Sequence, residues 1–296
     1  MGIGGILANK KDNDTVDQLT KATNKGKSSR NNRRRQKKMT RVQRLYEMCK
    51  QVFSSVDPGI VPPPNEIQRL KSILDEMTPD DVGLRPDMSY FLGNNGAGGG
   101  LVPKITYLHI YECPKFSIGI FCLPRTSVIP LHNHPQMTVL SKLLFGTMHI
   151  KSYDWADTNV LSNVNVGDGV GRLAKLKVDG EFTAPCGTSI LYPADGGNMH
   201  CFTALSSCAV LDVLGPPYSD PEGRHCTYYL EYPLSTLPAA ASSSDVAEAL
   251  PESSSSSSSP SDIDKRSHAW LKERKDNPED LTVVGGLYSG PAIKEK

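Results

Sequence analysis

The chain has 296 residues, 38% of them hydrophobic and 22% charged, enough to bury one sizeable core and carry extensions. Its net charge of +1 hides an asymmetry: residues 1–56 hold fourteen Lys/Arg against four Asp/Glu, so an arm of net +10 precedes a body of net −9. Seven cysteines without a CxxC pair argue against a disulfide framework, and no apolar run approaches the roughly 20 residues that span a bilayer.

The opening apolar stretch 3–8 is too short for a signal-peptide core, and Asp12, Asp14 and Asp17 argue against a transit peptide. Ile6 stands where N-myristoylation needs Ser or Thr. Residues 1–38 contain almost nothing to bury and read as a disordered basic arm. Its dense part, 30–38, reads either as a nuclear-import signal or as a solvated tail. No recognition motif accompanies the charges, so no direct nucleic-acid contact is expected. The expected protein is a soluble monomer of the cytoplasm and nucleus.

Residues 39–234 then read as helices followed by a β domain. Thr40 is the expected N-cap of a helix with Val42, Leu45, Met48, Cys49, Val52 and Phe53 on one face. After Pro62-Pro63-Pro64, Asn65 is the expected cap of a second, with Ile67, Leu70, Ile73, Leu74 and Met77 as its stripe. The Gly-rich stretch 93–100 lacks the Lys-Ser/Thr of a phosphate cradle and reads as a flexible connection.

From 105 to 233 the pattern is short strands: 105–111, 116–123, 138–145, 147–153, 172–178, 188–192, 209–214 and 226–230. Asp179-Gly180 is a hairpin signal. Many short strands at this spacing imply an antiparallel sandwich or barrel. Residues 235–266, with seven consecutive serines, read as a disordered insertion. Apolar content returns with Trp270, Leu271, Leu281, Val283, Val284, Leu287 and Tyr288, so the tail 267–296 is expected to dock back on the domain.

The chemistry gathers at Pro130-Leu131-His132-Asn133-His134-Pro135. Two histidines two apart in an extended segment face the same way and can reach one cation. Alone, such a pair is more often an ordinary strand pair than a metal site. A second element, Gly187-Thr188-Ser189-Ile190-Leu191-Tyr192-Pro193 continuing to Gly196-Gly197-Asn198-Met199-His200, supplies a third imidazole. The pairing resembles the two motifs of the cupins, and the fold this implies is mainly β: a cupin-type double-stranded β-helix, or jelly-roll barrel, with the N-terminal helices packed outside. Imidazoles suit Zn, Cu, Fe and Ni alike. The window Gln136–Leu140 contains no carboxylate, so the site keeps the ion's whole charge for a substrate anion such as a thiolate, which points to thiol oxidation.

Taken with Met199-His200-Cys201-Phe202-Thr203-Ala204 and Val210-Leu211-Asp212-Val213-Leu214-Gly215-Pro216-Pro217-Tyr218, these segments resemble the plant cysteine oxidases, relatives of cysteamine (2-aminoethanethiol) dioxygenase. The resemblance covers about 40–234 and 268–293. It implies one Fe(II) per chain, held by His132, His134 and His200, with O2 as co-substrate and no other cofactor. It implies oxidation of a protein's N-terminal cysteine to cysteine sulfinic acid. Family substrates are hypoxia-response transcription factors, group VII ethylene response factors among them. Their oxidation feeds the N-degron pathway and makes the enzyme an oxygen sensor.

Three further residues are candidates for the catalytic site. Asp212, a carboxylate in an apolar run, is costly to bury without a partner; it can hold the substrate's α-ammonium, orient a ligand imidazole, or pair elsewhere as a structural group. Tyr218 can bring a phenol to the site mouth or be merely packed. Cys226 matches a family position near the site and is either redox-sensitive or an inert buried thiol. His109, His149 and His225 read as surface or satisfied residues. Alternatives are a small-thiol dioxygenase acting on cysteine or cysteamine, a Zn or Ni cupin with hydrolase or isomerase chemistry, and a non-enzymatic nuclear binding protein.

Overall fold

The computed structural model describes residues 39–92, 103–156, 163–166, 169–234 and 267–295. The basic arm, the Gly-rich stretch and the Ser-rich stretch lie outside the described residues. The first helix, α1 (Arg41–Phe53), starts where the Thr40 hydroxyl accepts a hydrogen bond from Gln43 N at 3.1 Å. It buries the expected stripe except Met48, which is half-buried, and adds Tyr46. The second, α2 (Pro64–Asp75), begins before the expected cap. Pro64 occupies its first turn, where its fixed φ suits the helix, and Asn65 is already helical, so no side chain caps it.

Among the described residues thirteen strands follow: β1 (Ile105–Cys113), β2 (Phe116–Leu123), β3 (Val128–His132), β4 (Thr138–Phe145), β5 (Thr147–Trp155), β6 (Asn163–Val166), β7 (Gly169–Thr183), β8 (Ser189–Leu191), β9 (Met199–Ala204), β10 (Cys208–Gly215), β11 (Tyr229–Pro233), β12 (His268–Glu273) and β13 (Val283–Gly286). They form one sheet of order β13-β1-β2-β10-β4-β8 and another of order β11-β12-β7-β5-β9-β3, with β6 on the edge of β7. The chain changes sheet at β2–β3, β3–β4, β4–β5, β7–β8, β8–β9, β9–β10, β10–β11 and β12–β13. That repeated exchange is what makes a double-stranded β-helix, the architecture expected from the motifs.

Strand β10 shows how the layers are filled. Side chains alternate across a strand, so Cys208 and Val210 face the second sheet and pack with Leu123, Met148 and Phe202. Ala209, Leu211 and Val213 face the other way, into a core completed by α1, α2, Phe116 and Ile118. Both faces are covered, which is why the strand reads as a continuous apolar run. The same alternation turns Asp212 inward. Lys142 on β4 is only 4% exposed; its Nζ donates to Cys186 O at 2.6 Å and Asp75 O at 3.4 Å, placing a cation at the C-terminal end of α2.

Two further sequence expectations are corrected. Asp179-Gly180 makes no hairpin: both lie inside β7, opposite Lys151 and Ile150. A type I′ turn needs positive φ at its central residues, and Gly180 is not in that region. The expected strand 226–230 begins only at Tyr229, because Asn133 takes the backbone of Thr227. Residues 267–295 contribute strands that the composition had not resolved. Of these, β12 pairs with β7 and β11, and β13 runs parallel to β1.

Trp270 on β12 is the largest of the wholly enclosed side chains and packs on Leu173. Trp270→Ala is expected to cost about 4 kcal/mol in urea unfolding. A loss below about 1 kcal/mol, the usual size of a surface change, would show that the tail strand is not integral to the domain.

Candidate metal centre

His132 closes β3, and His200 stands opposite it on β9. His134 sits two residues further on, where the chain leaves the sheet. Asn133 between them is held from both sides. Its Oδ1 accepts from Thr227 N at 2.9 Å, its N donates to Thr227 O at 3.1 Å, and its carbonyl accepts from the Tyr218 phenol at 2.8 Å.

The three imidazoles are 5–7% exposed, and each offers a ring nitrogen within 4.8 Å of the others. His134 Nε2 lies 3.0 Å from His200 Nε2. Hydrogen bonds settle two tautomers. His132 Nδ1 lies 2.8 Å from Pro130 O, an acceptor, so Nδ1 carries the proton and Nε2 is free. The single proton of the Tyr218 phenol goes to Asn133 O, so its oxygen accepts Nδ1–H of His134 at 2.9 Å, and Nε2 of His134 is free as well. Burial lowers all three pKa values: His132 to about 4, and His134 and His200 well below the ordinary value, helped by repulsion among them.

Three uncharged imidazoles with converging nitrogens are what a transition-metal ion requires, and each outward nitrogen that is hydrogen-bonded fixes its ring. The residues therefore fit a metal. Among the described residues this is the one group of three or more potential ligands that converge, and it contains no carboxylate.

A second layer of bonds, not anticipated from the sequence, positions His134. Asn198 Nδ2 donates to His134 O at 2.9 Å and Tyr192 O at 2.8 Å, while its Oδ1 accepts from His134 N at 3.1 Å. Asp154, 6% exposed, in turn accepts from Gly197 N and Asn198 N, both at 2.9 Å, with Lys177 Nζ 3.4 Å from its other oxygen. Gly197 has φ +86°, and a Cβ there would meet Ser152 Oγ at 2.3 Å, so only glycine fits. The signal was the Gly-Gly-Asn preceding Met199-His200; Asp154, on another strand, left none.

A cleft of about 870 Å3 opens from the histidines between Tyr107, Phe121, Phe202, Tyr218 and Tyr228. Asp212 lines it, 6% exposed, and burial pushes its carboxyl up to about 6 against a hydrogen bond from Ser141. Its Oδ1 has no hydrogen-bond partner among the described residues. The nitrogens such a carboxylate would orient on His132 and His134 are held by Pro130 and Tyr218 instead. Tyr218 is thus bonded into the site. Cys226 touches Tyr218 and Tyr228, and burial raises its pKa to about 11, so it is a thiol at neutral pH. Of the remaining histidines, His109 and His225 are exposed, and His149 pairs with Asp179 at 2.8 Å.

Residues 73–293 match the model of the PCO_ADO family, a span that contains every residue of this site. The chain belongs to the PCO_ADO family. This PCO_ADO chain is 57% identical to plant cysteine oxidase 1 of Arabidopsis thaliana over 87% of its own length and 82% of that protein. It is 54% identical to plant cysteine oxidase 2 of the same plant, over 92% and 91%. Mouse 2-aminoethanethiol dioxygenase is 30% identical over 85% of the chain and 96% of that protein. Among solved structures, RmlC-like cupins from Shewanella frigidimarina and Desulfovibrio desulfuricans each overlap it with a TM-score of 0.25. They are 13% and 17% identical, covering 36% and 42% of the chain and 71% and 94% of those structures.

Asn198→Ala is expected to weaken divalent-metal binding about 10–100-fold, read by titrating metal-free protein with Co(II). Unchanged affinity would show that the Asn198 clamp does not position His134. A pH signature follows from the imidazoles. Unfolded histidines titrate near pH 6.5, about where the folded ones are still neutral, so stability present above that pH is lost as pH falls towards about 4. Asp212 acts oppositely, since the folded state takes up its proton first as pH falls through about 6. In metal-free protein, His132→Gln is expected to reduce the stability lost between pH 7 and pH 5 by about 2 kcal/mol. An equal loss in wild type and variant would contradict the buried neutral state.

Proposed function

We propose that this protein is an Fe(II)-dependent thiol dioxygenase acting on proteins that begin with cysteine, which it converts to cysteine sulfinic acid. The observation that carries the reading is a trio of neutral imidazoles without a carboxylate, at the base of a cleft that holds an unpartnered buried carboxylate oxygen. The plant cysteine oxidases, 57% and 54% identical, support the same reading.

His132, His134 and His200 would hold one iron(II) ion, which when bound would supply the redox chemistry by which a thiol is oxidised with O2. The other residues bind and orient. Asp212, mostly ionised at neutral pH, receives the α-ammonium of the terminal cysteine; an N-terminal amine is itself mostly protonated there. Tyr218 keeps the His134 proton on Nδ1, and its own raised pKa keeps the phenol neutral. Phe202 and Phe121 exclude water from the reacting end of the cleft. Among the described residues no Lys or Arg lines the cleft, so the carboxylate of free cysteine has no counter-charge there, whereas a peptide carbonyl needs none. Targets are transcription factors whose oxidation exposes them to the N-degron pathway, so that scarce O2 spares them.

The test is mass spectrometry of a peptide beginning Cys-Gly-Gly, incubated in air with Fe(II)-loaded protein. Controls are the His200→Ala variant and the same peptide with Met ahead of the cysteine. Two added oxygen atoms with wild type alone, on the free N-terminal cysteine alone, is the expected result. No mass gain with folded, iron-loaded wild type refutes the reading.

A further inference from the structure

We infer that the cleft continues past the site of the terminal cysteine into a groove for the residues after it. There, Glu112 selects a substrate carrying a cationic side chain at its second or third position. The inference rests on the N-terminal-cysteine reading above and adds a specificity to it.

Glu112 reaches the cleft because of a β-bulge. In β1, Tyr107 faces the cleft, and strict alternation would send Tyr111 the same way and Glu112 outward. The ladder between β1 and β2 slips between His109 and Tyr111. After the slip Tyr111 lies on the helix side, its ring 4.8 Å from that of Tyr46, and Glu112 lines the cleft instead. An extra residue in one strand re-aims the side chains beyond it, and bulges are enriched beside functional sites.

Glu112, Pro217 and Tyr218 also line an adjoining open groove of about 1040 Å3, so they form the sill between the two spaces. The groove is walled by His109, Pro114, Ser219 and Arg224. Its one guanidinium is already engaged: Arg224 is 3% exposed, bonds Pro217 O through Nε and pairs with Glu222. Lys115, in the turn beside Glu112, is drawn off to Asp57 and Val56 O. Glu112 has no ion-pair partner among the described residues. With Asp212 deeper in the cleft, it gives the path from groove to histidines two carboxylates, and among the described residues no Lys or Arg lines the cleft. Such a path attracts cations and repels acids over about a Debye length. A chain whose terminal ammonium meets Asp212 leaves past Tyr218 and Pro217, advancing about 3.3 Å per residue, so a side chain soon after the cysteine passes Glu112.

The test compares peptides Cys-Arg-Gly, Cys-Gly-Arg, Cys-Gly-Gly, Cys-Glu-Gly and Cys-Gly-Glu, extended by one common sequence. The readout is the ratio of kcat/KM for each Arg peptide over its Glu counterpart, in wild type, Glu112→Gln and Glu112→Lys. Glu112 is exposed, and melting curves check that both variants fold. Wild type is expected to favour Arg over Glu about tenfold at one of the two positions, attraction and repulsion each contributing the few-fold of a partly exposed charge pair. The ratio is expected to fall below about twofold in Glu112→Gln and to invert in Glu112→Lys, with the wild-type preference shrinking in high salt. A wild-type ratio near one, or one that survives both substitutions, overturns the inference while leaving the oxidation of N-terminal cysteine intact. Oxidation of none of the five peptides by wild type refutes the parent reading, and the inference falls with it.

Discussion

The structure turns on keeping three imidazoles uncharged within a few ångströms of one another. Protonating any of them would place a cation in a buried site beside two other rings, and burial therefore holds all three neutral in ordinary buffer. Neutrality alone would allow either nitrogen to carry the proton. Pro130 O and the Tyr218 phenol remove that freedom for His132 and His134 and leave Nε2 as the inward atom. The absence of a carboxylate from the trio matters as much, because a bound divalent ion keeps its full charge for whatever anion the substrate brings.

The rest of the fold follows from holding these rings. Their elements come from distant parts of the chain, β3 and its exit on one side and β9 on the other, joined through the interleaving of the two sheets. Asn198 ties the backbone of His134 to the His200 element, and Asp154 on β5 ties Asn198 to the wall of the barrel. Each bond satisfies a buried polar group that would otherwise cost about 1–3 kcal/mol. Apolar packing frames the site: α1 and α2 cover the outer face of the first sheet, and the inter-sheet core reaches the histidines at Phe202, whose ring centroid lies 4.3 Å from that of His200.

What the sequence disclosed depended on how local the signal was. The two histidine motifs are short and contiguous, so the three histidines that converge were legible. Asp212 stood out because a carboxylate interrupts an apolar strand. The α1 stripe and its Thr40 cap were readable for the same reason. Features set by pairing partners were not. Nothing in Asp179-Gly180 says that β5 will pair across it and suppress a turn. The strands β12 and β13 are short and gain their structure from β7 and β1. Tyr218 could be placed near the site, but its grip on His134 depends on where Asn133 O lies. Asp154 and Glu112 were invisible: one acts through backbone N–H groups of another strand, the other through a bulge that only the ladder reveals.

The most direct test of the central claim is an anaerobic calorimetric titration of metal-free protein with Fe(II) at pH 7, in buffers of different ionisation enthalpy. Three imidazoles already neutral predict one ion bound per chain with almost no proton released, and loss of that site in His200→Ala. Release of a proton or more on binding, or an undiminished site in His200→Ala, would contradict it.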